Sequence, residues 1–315
     1  MMYKNTIKLI FSNFSLVFKF LIYFVFITCI VGGIGYFCWS FIAKELAINE
    51  LLAELPQIFK SYKVSSDRAL FLMEIRSVVF EILNILLIAF QSKWYLVILL
   101  GLLVAIIPSV LYNLYIMSMS NVLHYYMGSS VNFSFTASLF VNFRKNLRYQ
   151  LLNIFTVLPI KYFTYLLVID SFILLKFDGI MGVLAPFIIV LIYVLLTALR
   201  MSLFAGWVPY MVVKNSNVFA GIINGYKYIR KRFARIFACS FAIVLTNILL
   251  SILGLFTFGV SLIITIPLAF VFIAVFNMVA YYSSSGLRFY VDTNNIFAPK
   301  KSEMVENYRI YKYVI

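Results

Sequence analysis

Three ionisable residues, Lys161, Asp170 and Arg200, sit inside long apolar runs of this chain. A charge in such a place pairs with an opposite charge, snorkels to the headgroups, lines an aqueous path or meets an ionic substrate. At 1.5 Å of rise per residue, Asp170 lies about 8 Å from one membrane face and Arg200 about 9 Å from the other, so these two cannot meet. Lys161 and Asp170 are nine residues apart, half a turn out of phase, and point to opposite sides of one helix. Snorkelling accounts for Arg200 and Asp170. Lys161, beside the kink-prone Pro159, is too deep for that and leads the three as an intramembrane functional residue.

Signatures of self-sufficient catalysis are missing. The chain has a single His124, no phosphate-binding Gly-rich loop ending in Gly-Lys-Ser/Thr, no HExxH, no GxSxG and no paired cysteines at metal-ligand spacing. These absences point away from a hydrolase or ATPase and predict no catalytic residue, cofactor or metal site. His124, beside Tyr125 and Tyr126, reads as an aromatic-belt residue, because a catalytic base needs partners. Cys29, Cys38 and Cys239 fall in apolar runs and read as buried thiols without a disulfide role. Glu45, Glu50, Glu54 and Asp67 could hold a cation, but beside Leu46, Leu51, Leu52, Leu55 and Ile58 they read as solvent faces of helices.

The elements that must position these residues follow from composition. With 64% apolar and 12% charged residues in 315 and a mean hydropathy of +1.01, there is too little polar surface to cover a soluble globule. Unbroken apolar runs of about twenty residues or more exclude alternating barrel strands. The fold class is all-α, a polytopic helical membrane protein with six transmembrane helices arranged as three hairpins with interfacial amphipathic helices. The spans are expected near residues 20–43, 94–117, 149–175, 182–206, 236–256 and 260–283, with an Asp-Gly turn at 177–181 and Gly254 and Gly259 flanking the last turn. The whole chain forms one integral membrane domain.

Charge gives the orientation. Six of the eleven acids lie between Glu45 and Glu81, and none lies between Asp178 and Asp292, where eight Lys and Arg residues fall. With both termini in the cytoplasm, seventeen basic residues lie inside and seven outside, which satisfies the positive-inside rule. Residues 44–93 then form an external helical insert and 284–315 a cytoplasmic tail. Ala69 to Phe90 tempts a seventh span, but Glu74, Arg76 and Glu81 would each cost roughly 2.5 to 3.5 kcal/mol near a helix centre. It reads as an external amphipathic helix. Abundant Phe, Ile, Asn, Lys and Tyr fit a low-GC bacterium, and the expected location is the cell membrane, multi-pass.

Phe11, Asn13, Phe14, Phe18 and Lys19 match Phe140, Asn142, Phe143, Leu147 and Arg148 at a constant offset, each set just before an odd-numbered span. A looser third set, Ala220, Ile222, Tyr226 and Lys227, precedes span five, so each hairpin is expected to start with an interfacial helix. In the clearest of these, Val218 to Arg235, the residues Phe219, Ile222, Ile223, Tyr226, Ile229 and Phe233 share a face beside a Lys227, Lys231 and Arg235 stripe, with Arg230 inside the apolar face. Lys227, Arg230, Lys231 and Arg235 are the expected anionic-lipid contacts, at about 1 kcal/mol per basic residue near the surface. Both faces being needed by the bilayer, nucleic acid is not an expected partner. Gly221 and Gly225, four apart, have the spacing that lets a second helix approach closely.

Ile266-Pro267, Tyr281-Tyr282 and Leu287-Arg288, together with the helix before span five, give residues 217–292 a look similar to uncharacterised six-span bacterial membrane proteins that resemble the membrane region of glycerophosphodiester phosphodiesterases. The resemblance implies a membrane-embedded helical module that handles lipids or assists a partner. Nothing like the soluble phosphodiesterase barrel is present, so none of its catalytic residues carries over. Two functions are expected on these grounds: a transport or lipid-handling membrane component, or a non-catalytic membrane scaffold or assembly factor with a protein partner or as a homo-oligomer.

Overall fold

A computed structural model describes residues 2–45, 54–61, 68–92, 94–95, 106–173, 180–257, 259–292 and 295–297. The helices are α1 (Met2–Ser12), α2 (Ser15–Glu45), α3 (Arg68–Ser92), α4 (Ile107–Asn113), α5 (Tyr115–Ser129), α6 (Phe135–Ile173), α7 (Ile180–Phe204), α8 (Trp207–Val213), α9 (Val218–Ile229), α10 (Phe233–Phe256) and α11 (Leu262–Ser285). Residues 54–61 are also helical, and a 3-10 turn, η1 (Arg230–Arg232), joins α9 to α10. Strands β1 (Phe289–Tyr290) and β2 (Ile296–Phe297) pair antiparallel, with Phe289 opposite Phe297.

Five helical stretches among the described residues are long and apolar enough to cross a membrane: Ser15–Phe37, Phe135–Val168, Phe187–Val213, Val218–Ile252 and Leu262–Ser285. The protein is thus a multi-pass helical membrane protein. Most of the expected span 94–117 and the turn at 177–181 lie outside the described residues. Two of the stretches, Phe135–Val168 and Val218–Ile252, begin well before the expected apolar runs because the helices continue through polar residues: α6 runs unbroken from Phe135 through Pro159, and α9 passes to α10 through a single 3-10 turn. Hence the start of α6 is not a separate interfacial helix. Its match in the repeat differs too, since a turn at Asn13 and Phe14 interrupts the helix there. Asn13 makes that stop by donating its side-chain and backbone N–H groups to the Leu9 carbonyl, each at 3.2 Å.

The chain divides into two compact units. The first comprises Met1–Phe26, Tyr112–Ile160 and Val190–Ile315. Its core is built on α11, where Val271, Phe272 and the run Ala274 to Ser283 are buried. Tyr115 donates from its hydroxyl to the Phe270 carbonyl at 3.0 Å, and His124 meets Tyr282, so α5 and α11 run side by side in the same direction. Helix α1 buries Met2, Asn5, Thr6, Leu9 and Ile10. Tyr3 packs on Phe272 with ring centroids 5.8 Å apart and hydrogen-bonds Thr246 at 3.2 Å, while Ser12 donates to the Val291 carbonyl at 2.9 Å. The first eleven residues therefore lie along the second half of α11. Past α11 the chain stays in the core, because Phe289 and Val291 are buried; it does not leave directly as a free tail.

The α10–α11 connection needs glycine. Gly259 sits at φ +88° and its N–H reaches the Gly254 carbonyl at 2.7 Å, the left-handed close that a side chain resists.

The second unit comprises Ile27–Leu111 and Lys161–Ile189. Within it Phe59 and Phe71 pack at 5.5 Å, Ser61 donates to the Glu74 carboxylate at 3.3 Å and Arg76 lies 5.5 Å over the Phe80 ring. Helix α3 carries Glu74, Arg76 and Glu81 and is not among the five membrane-crossing stretches. Cys29 is exposed on α2, not buried as expected, because the neighbouring residues Val25, Phe26 and Ile30 also face outward. Cys239 is partly buried, and the surroundings of Cys38 lie outside the described residues.

Candidate functional site

Helix α6 carries a row of polar side chains where its sequence is otherwise apolar. Asn146, Gln150, Asn153 and Thr156 recur at spacings of four, three and three, which places them on one face. The first three are all but fully buried. Each amide must find partners, since burying one unsatisfied costs roughly 2 to 7 kcal/mol.

Most of those partners come from two other elements, while the Asn146 Oδ1 has none among the described residues. The helix breaks at Leu114, between α4 and α5, and carbonyls at the break accept from side chains of α6. Asn146 donates its Nδ2 to the Leu114 carbonyl, and Gln150 donates its Nε2 to the Asn113 carbonyl at 2.6 Å. On the other side, Arg200 from α7 donates from Nη2 to Asn153 Oδ1 at 2.6 Å and from Nε to Thr156 Oγ1 at 3.3 Å. Asn153 Nδ2 in turn donates to Gln150 Oε1 at 3.3 Å.

The result is one directed relay, from the guanidinium through Asn153 and Gln150 to the Asn113 carbonyl. Every amide in it turns its oxygen toward the cation, so the dipoles act together on the positive charge. Arg200 falls within the apolar stretch Phe187–Val213 and Asn153 within Phe135–Val168, both long enough to cross a membrane. Arg200 therefore turns inward to a neighbouring helix in place of the expected snorkelling.

Beside the relay, Tyr149 packs edge-on against Trp207 at 4.7 Å, and Trp207 donates its indole N–H to the Val218 carbonyl at 3.0 Å. Lys145 donates from Nζ to the Met211 carbonyl and to Asn215 Oδ1, both at 3.1 Å. It thereby caps the C-terminal end of α8 with a positive charge.

The other expected residues separate. Lys161 is partly buried on α6 and engaged by the rest of the chain, but it belongs to the second unit. Asp170 falls on α6, and its side chain lies outside the described residues. Lys227, Arg230, Lys231 and Arg235 are all exposed. The predicted apolar face of α9 divides: Ile229 is buried while Phe219, Ile223 and Tyr226 point outward. The face that packs inward is Val218, Gly221, Gly225 and Ile229, because the glycines bring α9 against α8 more closely than side chains would. His124 does have a partner, with Nδ1 at 2.5 Å from the Tyr282 hydroxyl. Tyr281 stacks edge-on with Tyr210 and Tyr228 beside that pair.

Asn146, Gln150, Asn153 and Thr156 were invisible to a search for charges. Their common helical face is the signal that reveals them. Among the described residues no group of three His, Cys, Asp or Glu could hold a metal ion. No family model, no curated protein and no solved structure matches this chain.

Proposed function

We propose that this chain is a membrane component that transports a solute or handles lipids, using the relay on α6 as its working surface. The observation that carries the reading is the directed chain from Arg200 through Asn153 and Gln150 to the Asn113 carbonyl. Polar side chains inside membrane-length helices that converge on a helix break are the arrangement in which transporters seat their cargo. The same proposal has the chain in a bacterial cell membrane, with six spans and both termini in the cytoplasm. The Lys145 to Asn215 contact supports that layout, since it joins two segments that charge counting assigns to the same side.

In vesicles of phosphatidylglycerol and phosphatidylethanolamine, the protein is expected to accelerate exchange of a fluorescent phospholipid between leaflets, or uptake of a labelled anion. Asn153→Leu is expected to slow whichever occurs. If folded protein accelerates neither, the reading fails.

The second reading is a non-catalytic scaffold or assembly factor, favoured by the outward ridge of Phe219, Ile223 and Tyr226 on α9, which a partner helix would cover. A partner or second copy crosslinked through that ridge, in protein that moves no substrate, would establish it.

A further inference from the structure

Arg200 carries a permanent positive charge, and the groups that hold it are neutral. Its described bonds go to the Asn153 amide oxygen and the Thr156 hydroxyl. In the compact unit that contains it, the acid among the described residues is Asp292, which accepts from Asn295; Glu303 and Glu306 lie outside the described residues. Oriented amides supply partial charge, and they leave a net cation in a low-dielectric setting, where an anion is strongly attracted.

The guanidinium keeps donors for that anion. A guanidinium has five N–H donors in a planar fork, and two are used by Asn153 and Thr156. The rest belong to a side chain that is partly buried within an apolar stretch long enough to cross a membrane. The phenols of Tyr149 and Tyr193 interact electrostatically with it, Tyr193 standing two turns before Arg200 on the same face of α7, and each is able to donate a hydroxyl hydrogen. Gln150 and Asn153, both buried, fix the guanidinium from behind. A fixed fork with free donors and adjacent hydroxyls matches the oxygens of a phosphate.

We infer that Arg200 is an intramembrane binding site for a phosphate group, carried either on an anionic phospholipid or as a free ion. This rests on the transport or lipid-handling reading and names its ligand class.

The test measures thermal unfolding of the full chain in maltoside micelles at matched ionic strength. Dihexanoyl phosphatidylglycerol and inorganic phosphate are titrated separately, with gluconate as the control. Saturable stabilisation by the lipid alone assigns a headgroup, and stabilisation by inorganic phosphate as well assigns a free anion. Arg200→Lys, which loses the fork, is expected to weaken binding roughly tenfold, the scale of one lost hydrogen bond to a charged group. Asn153→Asp, which gives the cation an internal carboxylate, is expected to abolish binding while the unliganded protein stays folded. Substitution of Lys227, Arg230, Lys231 and Arg235 by Gln should leave the stabilisation in place. No stabilisation by either compound, or stabilisation that persists in Asn153→Asp, overturns the inference. Binding without exchange in vesicles keeps the site and removes the transport reading. Exchange by the wild type that Asn153→Leu slows, together with no binding of either compound, keeps the transport reading and removes the site.

Discussion

Gly206 and Gly225 meet backbone to backbone. A Cβ on Gly206 would lie 2.5 Å from the Gly225 carbonyl oxygen, and one on Gly225 would lie 2.6 Å from that of Gly206. Backbone cannot yield as a flexible side chain does, so Gly225→Ala has to push α8 and α9 apart. Overpacking of this kind costs about 1 to 3 kcal/mol. The expected result is a clear drop in the thermal midpoint in detergent. Gly128→Ala, where an added Cβ meets nothing within 4 Å, should leave it unchanged. Equal behaviour of the two variants would mean that the helices are not in this contact.

The same corner depends on Trp207, buried and bonded to the Val218 carbonyl. Trp207→Phe keeps the apolar body, loses the N–H and leaves the carbonyl unpaired, at about 1 kcal/mol or more. Chemical denaturation should register the loss, and amide exchange should rise first at the start of α9. Exchange that rises uniformly would count against this local account.

The pair of His124 and Tyr282 predicts a pH effect. Burial lowers the His124 pKa from its ordinary value of 6.5, so the imidazole is neutral near pH 7 and Nδ1 accepts from the Tyr282 hydroxyl. The unfolded chain binds the proton more readily. The contribution is therefore complete above about pH 6.5 and is lost as pH falls toward the depressed folded value. Melting curves between pH 8 and 5 should show wild type losing more stability on acidification than His124→Phe. Parallel curves would sink the assignment.

Around η1, three consecutive basic residues are unburied, flanked by exposed Lys227 and Arg235 and by outward Phe219, Ile223 and Tyr226. A ridge of this composition seats on anionic headgroups, at about 1 kcal/mol per basic residue. Replacing Lys227, Arg230, Lys231 and Arg235 with Gln should reduce co-purified anionic lipid and flatten its salt dependence. Cysteine accessibility at both termini should be read alongside, because the same residues set orientation. Unchanged lipid content with unchanged orientation would refute the contact.

Helix positions were largely legible from apolar runs, and the closeness of α8 and α9 from the four-residue spacing of Gly221 and Gly225. The inward face of α9 was not. A hydrophobic face assigned by side-chain size ignores that glycines pack best when backbones touch, so Phe219 and Ile223 were given the side that Gly221 and Gly225 occupy. The role of Arg200 was hidden for a different reason. Depth measured from the end of its own apolar run stops at Gly206, whereas the membrane-crossing stretch continues through α8 to Val213. The partners of Arg200 lie on α6, 44 and 47 residues earlier, a separation no local pattern conveys. Amides on one helical face were the available clue.

The seat of α1 has a consequence for how the chain is made. Tyr3 reaches Thr246 across 243 residues of sequence and Phe272 on the last helix. A ribosome delivers Met2–Ser12 long before either contact exists. Through most of translation, the buried face of α1, with Asn5 and Thr6 among Met2, Leu9 and Ile10, must wait at the membrane surface or in the grip of an insertion factor. The last hairpin to emerge closes the first segment into place, and a chain stalled before α11 leaves that amphipathic helix unseated.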